Sequence, residues 1–453
     1  MSAHLGTLRQ IARASALSVA TLALTAIAVQ AGELGQPDPA YRDAQYLLRA
    51  AIRDTAGHGS DAARFDSLGF AYFRIARLTE ASVAFRRAVS LQPTDHAAQA
   101  TLGRIALWQH RLGEAESLLT AAGDAEGAAD DRYLLRIRQH DWKAVAALAE
   151  AANDAGRREW FERLAKDEPY ALVAGHESGH VSFERAWPVP LVPVKLGGEV
   201  VIMAIDPGAP GLVLDPATVR VRRLAPIPGE SAMLWNGARS GVKHAWVPRL
   251  EIAGMAMTNV PASVLPLRRY SLDVNPQGSP IAGVIGLAVL ERFGVTIDLK
   301  KQVLELRRLE SAYDAKGQRV PFETWGESEL MVYGSVAGGR RMALQVGTGL
   351  PGAAFGSADA VFDELGLKPS RVGNLVKGAG TFLQGRPWDS VPVPTVALGA
   401  VVRDKSTGWS GVLDANALWR YGARRDGLLG PEMFRGRRVT FDWAKHSLLF
   451  EGD

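Results

Sequence analysis

The spacing of apolar positions changes character near residue 170. From Tyr41 to about Asp167 the chain is rich in Ala, Leu and Arg, holds almost no proline, and places its apolar residues at helical spacing. From about Val181 onward Pro, Gly and Val dominate, in short alternating apolar runs bounded by turn dipeptides, which is the pattern of β-strands. This predicts a helical region over 40–168 followed by an all-β module, itself in two parts, 181–310 and 318–453.

The helical region repeats itself. Phe65, Leu68, Gly69, Tyr72, Ala81, Phe85, Ala88 and Pro93 form one unit. Leu102, Gly103, Ala106, Ala115, Leu119 and Ala122 form the next, Gly103 in the place of Gly69 and Ala115 in that of Ala81. Small residues at Gly69 and Ala81 allow two antiparallel helices to approach, Tyr72 and Phe85 fill the gaps, and Pro93 stops the second helix. Flanking stretches, Ala40–Arg53 and Asp131–Arg163 with Trp142 and Trp160, read as degenerate copies. The pattern resembles the tetratricopeptide repeat, which implies a stacked α-helical solenoid whose groove holds a peptide or partner protein. A packing appendage without a ligand of its own is the alternative.

The β-module is a duplication. Met203-Ala204-Ile205-Asp206-Pro207-Gly208 overlays Leu344-Gln345-Val346-Gly347-Thr348-Gly349, which puts Gly347 in the place of Asp206. Further on, Gly283-Val284-Ile285-Gly286 overlays Gly427-Leu428-Leu429-Gly430, and Val295-Thr296-Ile297-Asp298 overlays Val439-Thr440-Phe441-Asp442. Three landmarks in one order at nearly constant spacing mark two copies of one unit.

These landmarks resemble the aspartic peptidases, in particular the bacterial retropepsin-like proteins with two lobes in one chain. The resemblance implies that each lobe supplies an Asp-Thr/Ser-Gly turn, a hydrophobic-hydrophobic-Gly strand beside it, and a closing hairpin (Val295–Leu306 and Val439–Phe450). It also implies a flap in the first lobe, within Glu230–His244. Such enzymes cut peptide bonds with two carboxylates that share a proton and hold a water between them. Here only Asp206 occupies a catalytic position, because its second-lobe counterpart is Gly347. Pro207 replaces the usual hydroxyl residue, whereas Thr348 keeps it, and Gly208 and Gly349 retain the turn glycines. Removing one member of an interdependent catalytic set costs several orders of magnitude. The reading is a catalytically impaired pseudo-peptidase that holds extended polypeptide between its lobes. Two alternatives stand beside it: an active endopeptidase with an atypical dyad, and a helical scaffold without substrate. An active dyad would need either two Asp206 side chains from paired chains or a substitute among Asp215, Asp298, Asp426 and Asp442.

Composition narrows the setting. With 52 basic and 48 acidic residues the formal charge is +4, too nearly balanced for a nucleic-acid binder. Arg9 and Arg13, an apolar run from Ala14 to Ala28 and the small residues of Val29-Gln30-Ala31 read as a cleavable export signal over 1–31, and imply a periplasmic or secreted protein with no other membrane attachment. The absence of cysteine excludes disulfides, thiolate metal sites, a lipoprotein anchor and a cysteine nucleophile.

Two motifs are weaker than their spacing suggests. His176-Glu177-Ser178-Gly179-His180 has zincin spacing, but two glycines weaken a helix there and Val181 opens a strand. Gly347-Thr348-Gly349-Leu350-Pro351-Gly352 reads G-x-G-x-x-G, yet the duplication accounts for its glycines better than a nucleotide would. No metal and no cofactor is expected.

Overall fold

The computed structural model describes residues 38–56, 59–151, 155–235, 238–311, 313, 315–369 and 388–451. The stretch read as an export signal, 1–31, lies outside the described residues. The described residues fall in one compact unit. Among the described residues no helix is long and apolar enough to cross a membrane.

Among the described residues, eight helices come first: α1 (Pro39–Thr55), α2 (Ala62–Arg74), α3 (Leu78–Leu91), α4 (His96–Trp108), α5 (Leu112–Ala121), α6 (Ala128–Arg138), α7 (Trp142–Ala151) and α8 (Ala155–Lys166). The pairs α2–α3 and α4–α5 occupy the two matching stretches of sequence, and equivalent residues shape them. Asp61 caps α2 through the Ala63 amide at 3.1 Å, and Asp95 caps α4 through the Ala98 amide at 3.0 Å. A methyl on Gly69 would come within 2.7 Å of the Phe85 ring, and one on Gly103 within 2.7 Å of Leu119, so glycine sets how closely each pair packs. Ala76 and His110, at the turns inside the two pairs, share a positive φ near 60°.

The described strands follow. The first eleven are β1 (Ala171–Leu172), β2 (Ser178–Ser182), β3 (Leu191–Leu196), β4 (Glu199–Ile205), β5 (Leu212–Leu214), β6 (Ala225–Trp235), β7 (Ala238–Ile252), β8 (Met255–Val264), β9 (Gly283–Ile285), β10 (Gly294–Asp298) and β11 (Val303–Arg307). The remainder are β12 (Gln318–Trp325), β13 (Glu329–Val336), β14 (Met342–Gln345), β15 (Phe355–Ser357), β16 (Asp389–Leu398), β17 (Val401–Ser410), β18 (Gly427–Leu429), β19 (Arg438–Asp442) and β20 (Ser447–Glu451).

The two lobes repeat one topology. In the first, β4 runs parallel to β9, β5 antiparallel to β9, and β5 parallel to β8. In the second, β14 runs parallel to β18, β15 antiparallel to β18, and β15 parallel to β17. The lobes join where β10 pairs with β19, Thr296 opposite Thr440, their hydroxyl oxygens 2.7 Å apart and buried. One hydrophobic core crosses the junction, including Met203, Ile205 and Val295 from one lobe and Leu344, Val346 and Val439 from the other.

The helical region packs on both lobes. Phe73, Leu78, Ile105 and Trp108 share a core with Trp325, Met331 and Ala343 of the second lobe, with Trp108 stacked on Trp325 at 4.6 Å. At its other end Val145, Phe161 and Leu164 share a core with Ile227 and Trp246 of the first lobe. The helices therefore bridge the two lobes rather than standing apart from them.

Candidate active site

Asp206 directly follows β4, and Gly347 lies just past β14, so the parallel partners β9 and β18 carry the two turns to the same place. The glycines ending the hydrophobic-hydrophobic-Gly segments act alike. A methyl on Gly286 would overlap the Ala209 carbonyl oxygen, and one on Gly430 that of Ala353, so each strand passes backbone against backbone. The turns meet across the lobe junction, where a methyl on Gly208 would lie 3.2 Å from the Gly347 Cα.

Asp206 reaches across that junction. Its Oδ1 accepts the Gly208 amide at 2.9 Å and the Thr348 amide of the opposite lobe at 2.8 Å. A methyl on Gly349 would overlap its Oδ2, so no larger residue fits there without displacing the carboxyl. Burial raises the pKa of Asp206 above the ordinary carboxylate range, against the opposing pull of the backbone amides of Thr348, Gly208 and Gly349. The Thr348 hydroxyl donates to the Ile205 carbonyl, bracing one turn against the other lobe. Pro207 has no hydroxyl with which to return that bond.

Gly347 faces Asp206 with no side chain. A Cβ placed on it would lie 3.1 Å from Asp206 Oδ1, which is where a second carboxyl would begin. The four possible substitutes are occupied elsewhere. Asp215 caps a short helix through the Ala217 amide and accepts the Leu267 amide, both at 2.8 Å. Asp298 closes the turn after β10 by accepting the Lys300 and Lys301 amides. Asp426 pairs with Arg340 at 2.6 Å and accepts the Ala343 amide. Asp442 pairs with Arg319 at 2.7 Å.

Three further side chains tie the site together. The Tyr270 hydroxyl donates to the Gly349 carbonyl at 3.2 Å; burial, then the Asp206 charge, hold its pKa well above the usual value, so it remains a donor. Gln345 Nε2 donates to the Gly208 carbonyl at 3.2 Å, and Arg425 Nη1 donates to Gln345 Oε1 at 2.8 Å and to Glu329 Oε2 at 2.9 Å. A signal for two of them exists in the duplication: Gln345 aligns with Ala204, and Arg425 with Ile281, each a polar residue where the first copy is apolar. Tyr270 carries no such signal.

The site opens into a cavity of about 1000 Å³. Asp206, Gly347, Gly349, Tyr270, Gln345 and Arg425 line it, and so do helical residues from Asp130 to Leu164. The β6–β7 hairpin spans the stretch expected to hold a flap, and α8 packs against it. Residues 236 and 237 at its tip lie outside the described residues.

The zincin-like motif lies elsewhere. Gly179 and His180 belong to strand β2, paired with β11, and a methyl on Gly179 would overlap the Ala253 carbonyl oxygen. An extended strand does not present His176 and His180 on one helical face. The glycine-rich segment 347–352 leads into strand β15 rather than a helix, unlike a nucleotide loop.

Residues 192–289 match the family model for aspartyl proteases. The β-region contains an aspartic-peptidase-like module. The matched segment runs from β3 to just past β9 and includes Asp206, Gly208 and Gly283–Gly286 of that module. Among solved structures, the chain is similar to edgp (11% identity, 61% of this chain and 95% of that one, TM-score 0.36). It is also similar to basic 7S globulin from soybean (11% identity, 62% and 95%, TM-score 0.35). A third is a retropepsin-like aspartic protease from Rickettsia conorii (16% identity, 31% and 94%, TM-score 0.21). No curated protein matches the chain.

Proposed function

We propose that this chain is an exported polypeptide-binding protein in which the aspartic-peptidase-like module holds extended chains between its lobes while cleavage is lost or strongly attenuated. One observation carries the reading: Asp206 is held by both lobes, and Gly347 leaves the position of its catalytic partner without a carboxyl. Peptide hydrolysis by such a pair needs one carboxylate to take the proton of water and a protonated one to stabilise the developing oxyanion. A single carboxyl cannot fill both roles in one step. The two glycine turns nevertheless keep their close backbone approach, so the groove remains suited to a main chain. The helical region, read as tetratricopeptide-like, serves the same cleft rather than a separate partner site, because its aromatic face packs on the two lobes.

Cleavage of unfolded casein between pH 3 and 6 is the decisive assay. No turnover above background is expected, and no difference between wild type and Asp206→Asn. Acid cleavage that pepstatin blocks and Asp206→Asn abolishes would overturn the proposal in favour of an active peptidase. Binding of the same casein, followed by fluorescence anisotropy, is the positive half of the test.

A further inference from the structure

The cavity above Asp206 is walled by two parts of the chain with unrelated sequence patterns. One side is the floor of the β-module, where Gly208, Gly211, Gly347 and Gly349 border the space. The other side is helical, and Tyr133, Ile137, Trp142, Trp160 and Phe161 line the same space. Phe161 is buried, stacked on Trp142 at 6.3 Å and edge-on to Tyr133 at 5.6 Å. Trp142 and Trp160 are only partly buried. Large aromatic surface facing a cavity is what ligand sites are built from, because it gives much contact area for little conformational entropy.

This wall is fixed to both lobes. Arg138, at the end of α6, donates to the carbonyls of Thr324 at 3.2 Å and Gly326 at 2.6 Å in the second lobe. His140 meets the Arg292 guanidinium of the first lobe at 3.2 Å. Trp160 lies 4.6 Å from His244 on the β6–β7 hairpin, and Arg163 sits over Trp246 at 5.3 Å. The aromatic residues are thus held at a set position relative to Asp206, as a specificity element must be.

We infer that α6–α8 form one wall of the ligand cleft, and that Trp142 and Trp160 make a subsite for a bulky apolar side chain of the bound polypeptide. The inference rests on the polypeptide-binding reading above. A main chain occupies the glycine-lined floor, and one of its side chains projects onto the helical wall. Both rings of this subsite come from the helical region, with His244 of the β6–β7 hairpin beside Trp160, so selectivity at that position is set mainly by the helices.

The test uses the full-length protein and a set of short fluorescein-labelled peptides in which Phe, Ala or Asp is scanned through each position of an otherwise constant sequence. Wild type is expected to bind the Phe peptide at one position roughly tenfold or more tighter than the Ala peptide, the scale set by burying one aromatic ring. Trp142→Ala and Trp160→Ala should bring that ratio to within about twofold, chiefly by weakening the Phe peptide. Should either Ala variant fail to fold, Trp142→Gln and Trp160→Gln keep side-chain length at these half-buried positions without the apolar surface and answer the same question. An unchanged Phe-to-Ala ratio in the variants overturns the subsite while leaving the polypeptide-binding reading intact. Failure of wild type to bind any of the peptides overturns both.

Discussion

Acid should loosen the seam between the helical region and the β-module, and His110 is the residue through which to test it. The ring stacks on His446 at 3.9 Å with the planes 3° apart, and its Nε2 lies 3.1 Å from the Thr324 hydroxyl. Phe322 meets it edge-on, and Arg138 adds positive charge nearby. Burial first, then His446 and Arg138, lower its pKa from 6.5 to about 3. A histidine whose pKa is depressed by folding stabilises the protein fully above the unfolded value of 6.5. That contribution is lost progressively as pH falls from there toward 3. At pH 5 the unfolded chain carries the proton and the folded one does not, which costs about 2 kcal/mol for this ring; at pH 4 the cost is about 3 kcal/mol. The assay is urea unfolding of wild type and His110→Asn at pH 7.5 and pH 5. Asparagine is chosen because residue 110 has φ 60°, a conformation that Asn tolerates. Wild type should lose about 2 kcal/mol more than the variant on acidification. Equal losses would refute the argument and place the acid sensitivity elsewhere. His446, lowered by burial but supported by Asp442, should contribute in the same direction and less.

Further variants probe particular contacts. Gly349→Ala forces its methyl against Asp206 Oδ2, so the polypeptide affinity read by anisotropy should fall severalfold, whereas Gly338→Ala, with open space around it, should leave that affinity unaltered despite its own backbone strain. Trp108→Ala empties a fully buried ring site against Trp325 and should cost about 3–5 kcal/mol in urea unfolding. Thr348→Val leaves the Ile205 carbonyl without its hydroxyl donor and should cost about 1–3 kcal/mol, with no change in the pH dependence of stability. Pro207→Thr with Gly347→Asp should create casein cleavage at acid pH if the dyad is all that is missing. The new Cβ begins 3.1 Å from Asp206 Oδ1, so Asp206 has to yield by a few tenths of an ångström.

The turns and strands of the β-module could be read from the sequence because duplication writes each landmark twice. Gly286 and Gly430 hold equivalent places in the two copies for one physical reason, a carbonyl oxygen where a side chain would be. The helical pairs were readable on similar grounds, since Gly69 and Gly103 hold equivalent places and admit equivalent neighbours. The path of the helices across both lobes was not readable. Trp142 and Trp160 sit in the chain as ordinary amphipathic positions, and nothing in their spacing distinguishes a face turned to solvent from one turned to a cleft. Tyr270 and its bond to Gly349 escaped for a related reason, being a long-range contact with no local pattern. The raised pKa of Asp206 depends on burial that only the packed lobes create.

The pairing of Thr296 with Thr440 has a consequence for symmetry. Thr296 meets its own counterpart, while Val295 opposes Phe441, the counterpart of Ile297, and Ile297 opposes Val439, the counterpart of Val295, so a two-fold axis passes between the two hydroxyls. Apart from Ile297 against Phe441, such a join holds no information about which half is which. The chemistry that makes the halves unequal is written elsewhere: in Asp206 against Gly347, in Pro207 against Thr348, in Ala204 against Gln345, and in the helices that lean on both. The axis therefore separates two histories in one molecule, a shared geometry at the join and a divergent chemistry at the turns it brings together.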